Sequence, residues 1–226
     1  MKLSKMKLSK LSMIGNRTTV AILPIILLLL LCAPVQIDAL EFSGGQTIIK
    51  TEQGSKKVTL SGGASVKTDD VVLTSDTIEL YGDNYSQVVC TGNVKAEDQK
   101  NGINFTSPNL FYDRDLGRIT SDSWIEIQDT ENQAALSGGW FEYDMESTQM
   151  KLQLMAKIIK VTEDSLMVCR ADSIEYNGRQ STVTLKGNAN VTWNNDVYKA
   201  AMIVVDLETN DIQMYGAISG ELTQEN

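Results

Sequence analysis

Histidine is absent from the 226 residues. That removes Ser-His-Asp and Cys-His nucleophile systems, and with them the usual imidazole-based zinc sites. Proline occurs only 3 times and cysteine 3 times, as Cys32, Cys90 and Cys169. Basic residues are also short, 20 Lys and Arg against 29 Asp and Glu. Setting aside residues 1–39 removes five basic groups and one acid, and the remainder carries a net charge of −13. A field of that sign repels a polyanion, so nucleic acid is not an expected partner. Beyond the N-terminus no stretch keeps a helical period for long, which excludes a helical body.

What the chain has instead is alternation. Val183, Leu185, Gly187, Ala189, Val191 and Trp193 occupy every second position, with polar residues between them. That rhythm places the first set on one face of a β-strand and the second in water. The same face recurs as Val58-Leu60-Gly62-Ala64-Val66, Val88-Cys90-Gly92-Val94-Ala96, Met150-Leu152-Leu154-Ala156-Ile158 and Ile212-Met214-Gly216-Ile218. The copies lie roughly 30 residues apart, or about twice that where one is blurred. The blurred copy lies at residues 118–127, where Ile119, Ile125 and Ile127 alternate but the glycine is missing.

Each repeat reads as two antiparallel arms joined by polar turns, with Asn177-Gly178 as the strongest short hairpin signal. In Ala171-Asp172-Ser173-Ile174-Glu175-Tyr176 the apolar phase slips by one, which predicts a β-bulge at Asp172-Ser173. Glycine in the middle of the facing arm bends its strand at the same height. Curved strands with one apolar face inward predict an all-β, repetitive antiparallel jelly-roll. Residues 46–50 and 212–218 are the expected edge strands, open to pairing with another strand.

Residues 1–39 read as a signal peptide, a helix with a basic start, an apolar stretch at 20–31 and a small-residue site before Leu40. Two alternatives stand beside cleavage: an uncleaved membrane anchor, or acylation at Cys32. Each of them places the domain of residues 40–226 outside the cytoplasm. There Cys90 and Cys169 could pair, although Cys90 sits on the inward face, where a small apolar residue is expected anyway.

Carboxylates alone can hydrolyse polysaccharides. Asp69-Asp70, Glu97-Asp98, Asp113 with Asp115, and Glu163-Asp164 all fall in predicted turns, where turn capping and solvation account for them. No Asp-x-Asp-x-Asp-Gly loop is present. The expectation is a protein without catalysis, cofactor or metal.

Thr91-Gly92-Asn93-Val94 and Lys186-Gly187-Asn188-Ala189, with the Ala-Asp-x-Ile-x-Tyr element at residues 171–176, are similar to the LptA/OstA-like repeat. The resemblance covers roughly residues 46–222. It implies a twisted β-jelly-roll open at its ends that binds lipopolysaccharide, or a similar glycolipid, by its acyl chains. It further implies a periplasmic location, head-to-tail stacking into homo-oligomers, and LptC-like and LptD-like partners. An uncleaved N-terminus would point instead to an LptC-like anchored component.

From the residues themselves, the expected trough is lined by Leu60, Ala64, Val66, Ile78, Val94, Leu154, Ile158, Ile174, Leu185 and Val191. Each methylene moved from water into it gains about 0.8 kcal/mol. The lipid-carrier reading expects a continuous, partly unoccupied channel. The same residues would equally serve as a filled sandwich core, and a parallel β-helix scaffold or adhesin is the structural alternative.

Overall fold

The computed structural model describes residues 40–52, 55–161 and 165–223. The signal segment, the possible anchor and Cys32 lie outside them. The described strands are β1 (Glu41–Ser43), β2 (Gln46–Glu52), β3 (Ser55–Lys67), β4 (Val71–Tyr81), β5 (Gln87–Asp98), β6 (Ile103–Asp113), β7 (Arg118–Ser121) and β8 (Ile125–Asp129). They continue as β9 (Ala134–Gly138), β10 (Trp140–Asp144), β11 (Gln149–Val161), β12 (Leu166–Asn177), β13 (Thr182–Trp193), β14 (Asp196–Asp206), β15 (Ile212–Tyr215) and β16 (Ser219–Glu221). All sixteen join one sheet whose order follows the chain. Every ladder is antiparallel, as between β5 and β6 or β12 and β13. A stack of parallel coils is thereby ruled out. β11 is rich in Met, Leu, Lys and Gln, all good helix formers, yet it is a strand, because its period-two pattern fits one buried sheet face.

The sheet folds in half along a line of corners. Between β3 and β4 the register shifts at Ser61/Ala64, between β5 and β6 at Thr91/Val94, between β11 and β12 at Gln153/Ala156, and between β13 and β14 at Lys186/Ala189. At each corner two successive residues are left-handed: Gly62-Gly63, Gly92-Asn93, Leu154-Met155 and Gly187-Asn188. Gly187 has φ 75, and a side chain there would collide with the Asp172 carboxylate. Asn188 donates its amide to the same carboxylate at 2.9 Å. Gly92 and Asn93 hold the same relation to Asp76, again at 2.9 Å. The Gly-Asn pair of one strand and the Asp of the strand before it therefore form a single corner unit. The phase slip expected in β12 is present at Asp172-Ser173, both turned outward between buried Ala171 and Ile174, and the extra residues of the bulge lie on the facing strands at Leu154-Met155 and at residues 187–189. Pro108 sits in β6 opposite Gly92-Asn93, where the ladder lapses and no N–H is needed.

One half of the sheet holds β2, β7, β10 and β15 with residues 55–61, 77–81, 87–91, 109–113, 149–153, 173–177, 182–186 and 202–206. The other holds β1, β8, β9 and β16 with residues 64–67, 71–75, 94–98, 103–107, 156–161, 166–170, 189–193 and 196–200. The blurred repeat makes its corner by interruption: β7 ends at Ser121, β8 begins at Ile125, and β9 passes to β10 through Gly138-Gly139.

One loop design recurs at residues 98–102, 113–117, 129–133, 144–148, 177–181 and 206–210. Each starts with Asp or Asn, whose Oδ1 accepts the N–H three residues on at 2.8 to 3.0 Å. Each ends with a left-handed residue: Gly102, Gly117, Gln133, Thr148, Ser181 or Asn210. Much of the acid surplus is spent on these caps. The hairpin expected at Asn177-Gly178 is present, but not as a two-residue turn. Asn177 caps Gln180 N–H, and the left-handed position is Ser181.

Candidate functional site

The inward faces of the two halves form one buried apolar cluster. Of the expected trough residues, Leu60, Ile78, Ile174 and Leu185 lie on the first half, and Ala64, Val66, Val94, Ile158 and Val191 on the second. All nine are buried in that cluster. Leu154 is the exception and a correction. It lies in the β11 corner with φ 62 and is 65% exposed. Two left-handed residues inserted together preserve the odd-even phase on either side, so the alternation runs through Leu154 although its side chain has left the inner face.

The open channel expected from the alternation is also corrected. The inward residues are closed to solvent, and the clefts lie elsewhere. One of about 520 Å³ runs over Arg118, Glu142, Lys151, Glu175 and Thr184. Others border the corners at Gly92-Asn93 and at Gly187-Asn188. In this state the interior is a filled core. Its centre is aromatic: Phe105 of the second half meets Phe141 and Tyr143 of the first, with ring centroids 5.6 and 5.5 Å apart.

Opposite the corner line, the loop rows of the two halves meet along a polar seam. Tyr143 donates its hydroxyl to Asp98 Oδ2 at 2.7 Å, and Asn101 Nδ2 donates to Asp98 Oδ2, the Tyr143 hydroxyl oxygen and Met145 O. One repeat on, Tyr176 donates to Asp129 Oδ2 at 2.6 Å, and the Ser181 hydroxyl donates to Asn132 Oδ1. One repeat further, Lys160 Nζ donates to Leu207 O at 2.6 Å. These bonds join residues 45, 47 and 47 apart in the chain. Asp98 and Asp129 are 0% and 3% exposed. Burial, then the Asp98 bond and charge, push the Tyr143 phenol above its usual range, and burial with Asp129 does the same for Tyr176.

Sequence reasoning missed the seam. From sequence Asp98 belongs to a solvated turn, and Tyr176 ends a motif with no task of its own. The available signal was the Tyr-Asx pair closing successive second arms: Tyr112-Asp113, Tyr143-Asp144 and Tyr176-Asn177. In the last two the tyrosine crosses the seam and its neighbour caps the loop. Cys90 and Cys169 are free thiols, each buried and pushed up to about 12 by desolvation. The disulfide is not formed.

The family model described as "LptA/(LptD N-terminal domain) LPS transport protein" matches residues 49–211. No curated protein matches the sequence. Among solved structures the chain is similar to LptH of Pseudomonas aeruginosa, described as the LptA-homologous periplasmic component of the conserved lipopolysaccharide transport device. Identity is 12%, with 83% of this chain and 96% of that one covered, at a TM-score of 0.27. A superposition that loose adds nothing to the assignment, which rests on the family match. The match spans the repeats from β2 into the loop before β15, and the chain belongs to the LptA/LptD N-terminal domain family of lipopolysaccharide-transport proteins.

Proposed function

We propose that this protein is a periplasmic, non-catalytic carrier. It takes the acyl chains of lipopolysaccharide or a similar glycolipid between the two halves of its folded sheet, and moves them between inner and outer membrane. The observation that carries the reading is the division of the apolar interior between two faces, each with its own ladders, joined among the described residues by the strands that pass through the corner line. An acyl chain inserted between them meets Leu60, Val94 and Leu185 through many weak contacts, each methylene gaining about 0.8 kcal/mol, with no polar grip that would stop it sliding on. Export of the chain by residues 1–39 belongs to the same proposal.

The ends of the sheet support transfer between copies and partners. Among the described residues β2 pairs with β3 alone, and β15 with β14 alone. Ile49 on the first edge is 60% exposed, and Ile218 beside the last is 57% exposed. Free edges of this kind accept another strand, which suits head-to-tail stacking and docking onto LptC-like and LptD-like neighbours.

Photo-crosslinking tests the carrier reading. A photoreactive residue at Val94 or Leu185 is expected to capture lipid in envelope fractions, and one at Lys186 on the outer face is not. Capture from Lys186 alone overturns the proposal.

A further inference from the structure

The seam is a repeated device. Within each half, neighbouring loops are bonded to one another through the backbone: Met145 N–H to Gly117 O, Gly178 N–H to Thr148 O and Leu207 N–H to Ser181 O in one row, Thr130 N–H to Gly102 O in the other. Each half is thus a continuous plate out to its rim. Across the seam the bonds are made by side chains: the Tyr143 and Tyr176 phenols, the Asn101 amide, the Ser181 hydroxyl and the Lys160 ammonium. The plates can therefore part without breaking a ladder. Along the opposite margin the ladders lapse at Gly62-Gly63, Gly92-Asn93 and Gly187-Asn188, so the strands can bend there without losing a pairing.

We propose that this seam is the entrance by which an acyl chain reaches the interior, with Tyr143–Asp98 and Tyr176–Asp129 as its latches and the glycine-marked corners as its hinge. The inference rests on the carrier reading above and adds the route. Each latch closes onto an acid that is held whether the latch is made or not. Asp98 keeps the N–H groups of Lys100 and Asn101 and the Asn101 amide. Asp129 keeps the N–H and amide of Asn132. Parting the phenol therefore leaves a carboxylate that is still solvated by its own loop, so opening breaks side-chain hydrogen bonds without orphaning a buried charge. Such a seam opens repeat by repeat, wide enough for a chain and a headgroup left at its polar rim.

The test compares uptake of a pyrene-labelled long-chain fatty acid by purified protein with the seam locked and free. Ser181 Oγ lies 3.2 Å from Asn132 Oδ1 across the seam, so Asn132→Cys with Ser181→Cys places a pair there for a short thiol crosslinker, while buried Cys90 and Cys169 stay out of reach. Crosslinked protein is expected to take up the probe at least about tenfold more slowly than the same protein with a cleavable linker reduced. Tyr143→Phe with Tyr176→Phe is expected to take it up about tenfold faster than wild type, the loss of two charge-assisted hydrogen bonds. Lys57→Gln, which removes an ion pair with Glu79 on the outer face, leaves the rate unchanged. Equal uptake by locked and reduced protein overturns the seam route while leaving the carrier reading in place. Uptake by the double phenylalanine variant at the wild-type rate overturns the latches. Failure of wild type to take up the probe overturns the carrier reading and this inference together.

Discussion

At the corner line, Gly187, Asn188 and Asp172 lie on adjacent strands and hold their shape through left-handed backbone and one amide–carboxylate bond. At the seam, Asp129 and Tyr176 lie on β8 and β12, two intervening strands apart in the sheet order, and meet only because the sheet has folded over. The corner makes the fold and the seam only closes it. A corner residue must suit a backbone conformation that few residues tolerate, whereas a seam residue must supply one polar atom at the end of a side chain. Breaking a corner should therefore damage the ladders on both sides of it, and breaking a latch should free the halves from one another with every ladder intact.

The largest effect is expected from Gly187→Val. It forces a β-branched residue to φ 75 and drives its side chain into Asp172, for a loss of about 4 kcal/mol. The midpoint of urea unfolding measures it. A loss under about 1 kcal/mol would mean that the corner is not the determinant described above. Next comes Asp98→Ala, which removes the cap on the N–H groups of Lys100 and Asn101 and strands the Tyr143 hydroxyl, for about 3 kcal/mol. Tyr143→Phe takes away the latch and leaves the cap, and should cost about 1.5 kcal/mol. Amide exchange separates the two. Asp98→Ala should expose the β5–β6 loop to exchange, and Tyr143→Phe should not.

Alkaline pH probes the seam without mutation. In the folded state the Tyr143 and Tyr176 phenols are held above their usual value near 10, chiefly by burial and then by the carboxylates beside them. The unfolded chain releases those protons first. The stabilisation is thus present in full below pH 10 and is lost as pH rises above it, at most about 1.4 kcal/mol per pH unit for each phenol. Cys90 and Cys169, pushed from 9.0 up to about 12 by burial, act with the same sign between those values. Urea midpoints between pH 8 and pH 11 should fall, and Tyr143→Phe with Tyr176→Phe should make the fall above pH 10 shallower while leaving the thiol contribution, which runs from 9.0 to about 12. An unchanged slope would place the seam phenols in water.

The corners were legible in the sequence and the seam was not, for a physical reason. The strands β3, β5, β11 and β13 announce themselves because a one-sided sheet imposes a period of two on adjacent residues, and Gly92-Asn93 and Gly187-Asn188 because a left-handed pair admits few residue types. Tyr143 and Asp98 are 45 residues apart, and no local rule ties one to the other. An aspartate that caps a loop with Oδ1 looks the same in sequence whether its Oδ2 faces water or a phenol. The edges at β2 and β15 could be read because they open and close the run of strands in their half. Whether the interior was filled could not, because Leu60 or Val191 satisfies a core and a groove alike.

Leu154-Met155 is where the two halves of this lesson cross, and it supplies the smallest predicted effect. Both residues are left-handed at φ 62, are 65% and 76% exposed, and occupy the position that Gly-Gly or Gly-Asn takes in the other corners. Neither bulky side chain gains burial there, and each bears the cost of a conformation that disfavours it. Gly139 on the neighbouring strand makes the corner possible. Its N–H donates to Gln153 O and Leu154 O at 3.0 and 2.9 Å, and a Cβ on it would lie 3.1 Å from that of Leu154. The β11 corner, which has no glycine of its own, thus relies on Gly139 between β9 and β10. Leu154→Gly with Met155→Asn should restore the common corner and stabilise the fold by about 1 kcal/mol, a rise of roughly 3 °C in thermal midpoint for a domain of this size. Adding Gly139→Ala to wild type should destabilise it, and adding it to the double variant should cost less, because the Leu154 side chain it would press against is gone. A double variant less stable than wild type would show that contacts of Leu154 and Met155 outweigh their backbone strain.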